Sequence, residues 1–264
     1  MRITRINSVL MHHAEEGDPQ GRPVVFANSL GTDLRVWDPV IAHLPPGLRI
    51  IRYDMRGHGL SDAPGGAYFM GDLVGDAAGL IEHLGARDAV FVGLSIGGVV
   101  AQGLAAERPD LLSAAVLCCT AAKIGTEKMW EDRMNAVRTG GIEALADAVM
   151  ERWFSRAFHE SRPEEVAGWR HMLVRTPVDG YAGCCAALAD TDLRDSTAGL
   201  RLPVLAVAGS EDGATPPDLV RETAESIEGA QFALIRGAGH IPSVEAPSEL
   251  GALIGNFLRE RRLV

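Results

Sequence analysis

A chain of 264 residues, 47% of them hydrophobic, has enough apolar material for one large α/β core that can carry an insertion. Its net charge of −10 argues against nucleic acid or an anionic membrane surface as a partner. No apolar run reaches the length of a membrane span, and Met1 to Ile6 alternates like a strand with no apolar leader segment, so a cytoplasmic protein without a signal peptide is expected.

In chain order, an N-terminal strand, turn and strand precede Val24-Val25-Phe26-Ala27, a strand that enters the loop Asn28-Ser29-Leu30-Gly31-Thr32. Leu48 to Tyr53 is the next strand, followed by Asp54-Met55-Arg56-Gly57-His58-Gly59. Ala89 to Val92 and Ala114 to Cys118 are short apolar runs of the same kind, and Pro203 to Ala208 and Gln231 to Ile235 follow after a long gap. Helical patterns separate most of these runs, which predicts an α/β fold with a mostly parallel sheet and crossover helices. Within the gap, Glu127 to Arg138, Ile142 to Phe154, Pro163 to Arg175 and Asp179 to Ala189 have helical periodicity, punctuated by Gly140-Gly141, Arg162-Pro163 and Thr176-Pro177. Four helices inserted there would sit over the carboxyl ends of the strands, where such sheets place their sites. Residues 121–190 are therefore expected to form a helical cap, and residues 1–120 and 191–264 the core. The four cysteines fall as Cys118-Cys119 and Cys184-Cys185, without C-x-x-C spacing, and are expected to be reduced thiols.

The stretch Gly93-Leu94-Ser95-Ile96-Gly97 carries the chemistry. It lies between the strand at Ala89 to Val92 and a small-residue helix running from Gly98 toward Pro109. A strand that turns abruptly into a helix needs glycines on both sides of the turn residue, and it holds that residue strained with its side chain exposed. The helix start points free N–H groups at any negative charge developing beside the Ser95 hydroxyl. A serine needs a base, and the base needs an acid to fix its tautomer. Val207 to Gly213 places Glu211 and Asp212 just after one strand, and Gly237-Ala238-Gly239-His240 places a histidine after the last. Asp212 is favoured as the acid because a short carboxylate close to the turn holds an imidazole rigidly; Glu211 remains the alternative. His58 is the one rival to His240 as the base. Two backbone donors are required for an oxyanion: Ile96 N–H follows the nucleophile directly, and Leu30 N–H is the best candidate from the loop after Val24 to Ala27.

At these residues the chain resembles the α/β-hydrolase superfamily over nearly its whole length. It is similar in particular to 3-oxoadipate enol-lactonases, through Asn28-Ser29-Leu30-Gly31-Thr32-Asp33 with Trp37-Asp38, Tyr53 to Gly59, the Ser95 elbow, Trp130 with Arg133, Arg152-Trp153-Phe154, and Gly180 to Leu188. Asn28-Ser29 stands where many superfamily members have His-Gly, a departure that matches the enol-lactonases. The resemblance implies a small anionic enol-lactone substrate, attack by Ser95 on the ring carbonyl, protonation of the departing enolate by His240, and no metal or organic cofactor. The acetate group of that substrate calls for a cation. Arg133 shares a helix face with Trp130, Met134 and Val137, and could supply it. The competing readings are a packed Arg133 stem with its head in water, and Trp130 as core. Other serine hydrolases with the same elbow (small-ester, C–C bond or perhydrolase types) and a lactone-sensing binding protein are the alternative functions.

Overall fold

The computed structural model describes residues 1–264. One eight-stranded sheet runs in the order β1-β2-β4-β3-β5-β6-β7-β8, with β1 Arg2–Ile6, β2 Val9–Gly17, β3 Arg22–Ala27, β4 Leu48–Tyr53, β5 Ala89–Leu94, β6 Leu112–Cys118, β7 Val204–Gly209 and β8 Gln231–Ile235. The β1–β2 and β2–β4 pairs are antiparallel, and every pair from β4 to β8 is parallel.

Burial explains the two kinds of strand. Every residue of β5 and of β7 is buried, as expected of central strands covered on both faces by crossover helices. In β2 the alternation of Val9, Met11 and His13 inward with partly exposed neighbours marks a strand with one face on the core. The helices Met70–His83 and Ile96–Glu107 pack against one another, and Pro247–Glu260 packs on Asp38–Ile41. No helix is long and apolar enough to cross a membrane.

Because β3, β5, β6, β7 and β8 are successive neighbours, the loops at their carboxyl ends form one row. Asn28, Ser95, Cys119 and Ser210 are the first residues beyond β3, β5, β6 and β7, and Arg236 follows β8. The polar residues named from sequence are thereby brought to one edge by topology alone.

Across residues 121–190 the chain is helical, with two departures from the expected four helices, and a short helix Arg194–Ala198 follows before β7. Ile142 to Phe154 is not one helix: Ile142–Leu145 is a 3₁₀ turn that continues into the α-helix Ala146–Trp153. A further short helix, Arg156–Ser161, precedes Pro163–Val174. Ser155 starts it by accepting the Phe158 N–H at 3.2 Å, and the following Arg162-Pro163 ends it. The helices Glu127–Gly140 and Val178–Asp190 pack closely on each other. Val178–Asp190 rests on the loop after β4 through Gly180 against Gly57, where a Cβ on either would collide with the other's backbone. All four cysteines are buried and unpaired. Ellman's reagent is accordingly expected to find no reactive thiol on the native protein and all four after denaturation. Prompt labelling of the folded chain would contradict this packing.

Candidate active site

Ser95 occupies the turn between β5 and the helix Ile96–Glu107, at φ 56° and ψ −118°. That positive φ is strained for a residue with a Cβ, and the surroundings over-determine it. The Ser95 N–H donates to the Cys118 carbonyl at 2.9 Å, while the Ser95 carbonyl accepts the Thr120 hydroxyl at 2.7 Å and the Gly98 N–H at 2.8 Å. Gly93 and Gly97 are needed for close approach: a Cβ on Gly93 would strike the Gly97 carbonyl, and one on Gly97 the Ala27 carbonyl.

The carboxylate of Asp212 is buried and lies against His240, whose Nδ1 is 3.0 and 2.9 Å from its two oxygens. Oδ1 also accepts the Ala214 and Thr215 N–H groups at 2.7 and 2.9 Å, and Oδ2 accepts the Thr215 hydroxyl at 2.8 Å. Burial acts to raise this carboxyl, but the His240 charge, the His240 hydrogen bond and the two backbone donors outweigh it, so Asp212 is held below its ordinary value. Glu211 is exposed and its side chain faces solvent. His240 is buried, its N–H donating to the Trp153 carbonyl at 2.8 Å. With Nδ1 turned to Asp212, Nε2 is the nitrogen left for a substrate or nucleophile.

Ser95, His240, Leu30, Trp130, Arg133 and Arg152 open onto one cavity. The N–H groups of Leu30 and Ile96 have no acceptor within the protein, although both residues are buried. Buried backbone donors are rarely left unpaired, and these two remain free to donate to an oxygen atom. His58 does not open onto this cavity. Its Nε2 accepts the Gly31 N–H at 2.8 Å and its Nδ1 lies 3.2 Å from the Arg56 carbonyl, so both nitrogens are engaged by backbone.

Two cations face the cavity. The Arg133 guanidinium lies 5.5 Å from the Trp130 ring and 5.9 Å from that of Tyr181, and it forms no ion pair. Arg152, which sequence reasoning gave no role, also lacks a carboxylate partner; burial, then repulsion by Arg133, pushes its value down, though a guanidinium stays charged. The signal that could have revealed it is the i, i+3, i+4 face of Val149, Arg152 and Trp153, all three of which line the cavity. Trp130 is both core and lining: it is 4% exposed, and its indole N–H donates to the Ile124 carbonyl at 2.7 Å.

A roomier cavity of about 410 Å³ lies against Thr32, Asp33 and Leu34 on the same loop. Its lining includes no serine or cysteine, and its carboxylates are already engaged. Asp33 pairs with Arg35, and Asp54 accepts the Leu34 and Leu60 N–H groups and lies 2.7 Å from His12.

Residues 24–253 match the model of the alpha/beta hydrolase family. The chain belongs to the alpha/beta hydrolase family. Among relatives of this hydrolase, 3-oxoadipate enol-lactonase 2 of Acinetobacter baylyi is 36% identical, covering 90% of this chain and 89% of its own length. The 3-oxoadipate enol-lactonase 1 of the same organism is 33% identical over 91% and 90%. A crystal structure of an enol-lactonase from Burkholderia xenovorans superposes with a TM-score of 0.94 at 38% identity, covering 98% of this chain and 100% of that one. A thermophilic esterase from Thermogutta terrifontis superposes with a TM-score of 0.93 at 28% identity over 99% of each chain.

Proposed function

We propose that this alpha/beta hydrolase opens the ring of 3-oxoadipate enol-lactone to give 3-oxoadipate, in the catabolism of protocatechuate and related aromatics. The observation that carries the mechanism is the pair of unclaimed N–H groups, on Leu30 and Ile96, beside a serine that shares its cavity with an Asp212-oriented histidine. Ser95 Oγ attacks the ring carbonyl while His240 Nε2 takes its proton. The Leu30 and Ile96 N–H groups hold the oxyanion. Collapse of the tetrahedral adduct breaks the ring C–O bond, and His240 returns the proton to the departing enolate oxygen. Because an enolate leaves readily, this step asks little of the acid. Water activated by His240 then attacks the acyl-enzyme, freeing Ser95, and the enol tautomerises to the ketone.

The substrate assignment is supported by the named relatives and by the two uncompensated arginines, which suit the lactone's acetate group. Residues 121–190 act as the cap in this reading, contributing Trp130, Arg133 and Arg152 to a core made of residues 1–120 and 191–264. Turnover is followed by loss of the enol-lactone absorbance, alongside simple aryl esters; faster hydrolysis of the aryl esters would sink the lactonase assignment. A charge-assisted hydrogen bond contributes about 1.5–3 kcal/mol, so Arg133→Met and Arg152→Met are each expected to lower kcat/KM for the anionic lactone roughly 10- to 100-fold. The same variants should leave a neutral methyl ester of that lactone nearly unaffected. Equal losses on both substrates would show that the arginines shape the cavity without reading the carboxylate.

A further inference from the structure

The loop that carries Leu30 needs an explanation for its rigidity, because a free N–H is useful to an oxyanion only if its direction is fixed beforehand. Leu30 lies between two peptide planes. The first, Ser29–Leu30, contains the Leu30 N–H, and its carbonyl accepts the Thr32 N–H at 3.1 Å and the Thr32 hydroxyl at 2.9 Å. The second, Leu30–Gly31, ends in the Gly31 N–H, whose acceptor is His58 Nε2 at 2.8 Å. Gly31 has φ 82°, a conformation only glycine adopts easily, so a partner for its N–H restricts the rotation that the residue itself leaves open. We propose that His58 is a positioning residue that fixes the Leu30 N–H by holding the Gly31 N–H, an inference that rests on the oxyanion role assigned to Leu30 above.

The chemistry of the ring fits one protonation state. A carbonyl only accepts, so Nδ1, which faces the Arg56 carbonyl, must carry the proton; Nε2 is then left with the lone pair that the Gly31 N–H requires. Burial disfavours the doubly protonated ring and pushes His58 down from the ordinary imidazole value, outweighing the Arg56 carbonyl and the charges of Asp54 and Asp33. The neutral Nδ1–H form is thus the one that both neighbours demand. The imidazole is 1% exposed and joins the loop after β4 to the loop after β3. A histidine is suited to this task because it offers one donor and one acceptor on a rigid ring.

Two full-length variants divide the functions of the ring. His58→Gln keeps an acceptor at the ε position, and His58→Asn keeps only the δ-position group that can reach the Arg56 carbonyl. His58→Asn is expected to lower kcat about 10- to 100-fold, below the roughly 10²–10³-fold cost of deleting an oxyanion donor outright. KM should change by less than about threefold, since the ground-state substrate is still bound. His58→Gln should recover most of the loss. A boronic acid, which forms a tetrahedral adduct on a serine, should bind His58→Asn more weakly in parallel with kcat, with inhibition by 3-oxoadipate unchanged. Wild-type kcat in His58→Asn, with Ser95→Ala inactive, would overturn the positioning role and leave the serine mechanism standing. Equal losses of kcat and of Tm in both variants would overturn it in favour of a packing role. Undiminished turnover by Ser95→Ala would instead overturn the reading beneath it.

Discussion

Ser95→Ala is expected to reduce enol-lactone turnover roughly 10⁵- to 10⁶-fold while leaving the fold intact. The size follows from covalent catalysis: without Oγ there is no acyl-enzyme, and His240 and the two backbone donors have no nucleophile to serve. The fold should be spared because the Ser95 side chain makes no capping hydrogen bond, and the hydrogen bonds at this position belong to its backbone N–H and carbonyl. Alanine tolerates φ 56° about as poorly as serine does, so Tm should move by no more than a few degrees. Two measurements check the claim together. The enol-lactone assay should lose its signal, and intact-mass analysis with a slowly deacylating ester should show an adduct on the wild-type chain and none on the variant. A Ser95→Ala protein that still turns over, or still acquires the adduct, would move the nucleophile elsewhere.

What could be read from sequence was what the backbone enforces locally. The elbow was legible because glycine is the only residue that fits where Gly93 meets the Gly97 carbonyl and Gly97 meets the Ala27 carbonyl. The strands were legible because β5 and β7 are buried on both faces and so read as uninterrupted apolar runs. Asp212 and His240 could be placed after particular strands, but their approach to 2.9 Å depends on β7 and β8 being neighbours. The part played by Arg152 is not legible in the sequence, for a different reason. One arginine near the end of an amphipathic helix is ordinary, and only the way Ala146–Trp153 is turned brings it beside Arg133. The contact between His58 and Gly31 spans 27 residues and joins two loops, so no local pattern encodes it. The short helix Arg156–Ser161 is hidden because six residues are too few for periodicity to show; Ser155 as its cap is the available sign.

Asp212→Asn is expected to lower kcat about 10⁴-fold, although it replaces only one atom. The reason is the set of donors around that carboxylate. Oδ1 receives two backbone N–H groups, from Ala214 and Thr215, which cannot reverse their polarity. An asparagine must therefore keep its carbonyl oxygen there and place its NH₂ at the Oδ2 position, facing the Thr215 hydroxyl and His240 Nδ1. The hydroxyl can rotate to accept. The imidazole can accept only by moving its proton to Nε2, and a protonated Nε2 cannot take the proton of Ser95. Stability should respond to pH as well. A carboxyl held below its unfolded value contributes stability that is fully present above that value, near pH 3.9, and is lost as pH falls through the lower folded one. The stability gap between wild type and Asp212→Asn, measured by chemical denaturation, should therefore be widest at neutral pH and should shrink below about pH 4. A gap of constant size across that range would mean that Asp212 is held by shape and not by its charge, and the tautomer argument would fall with it.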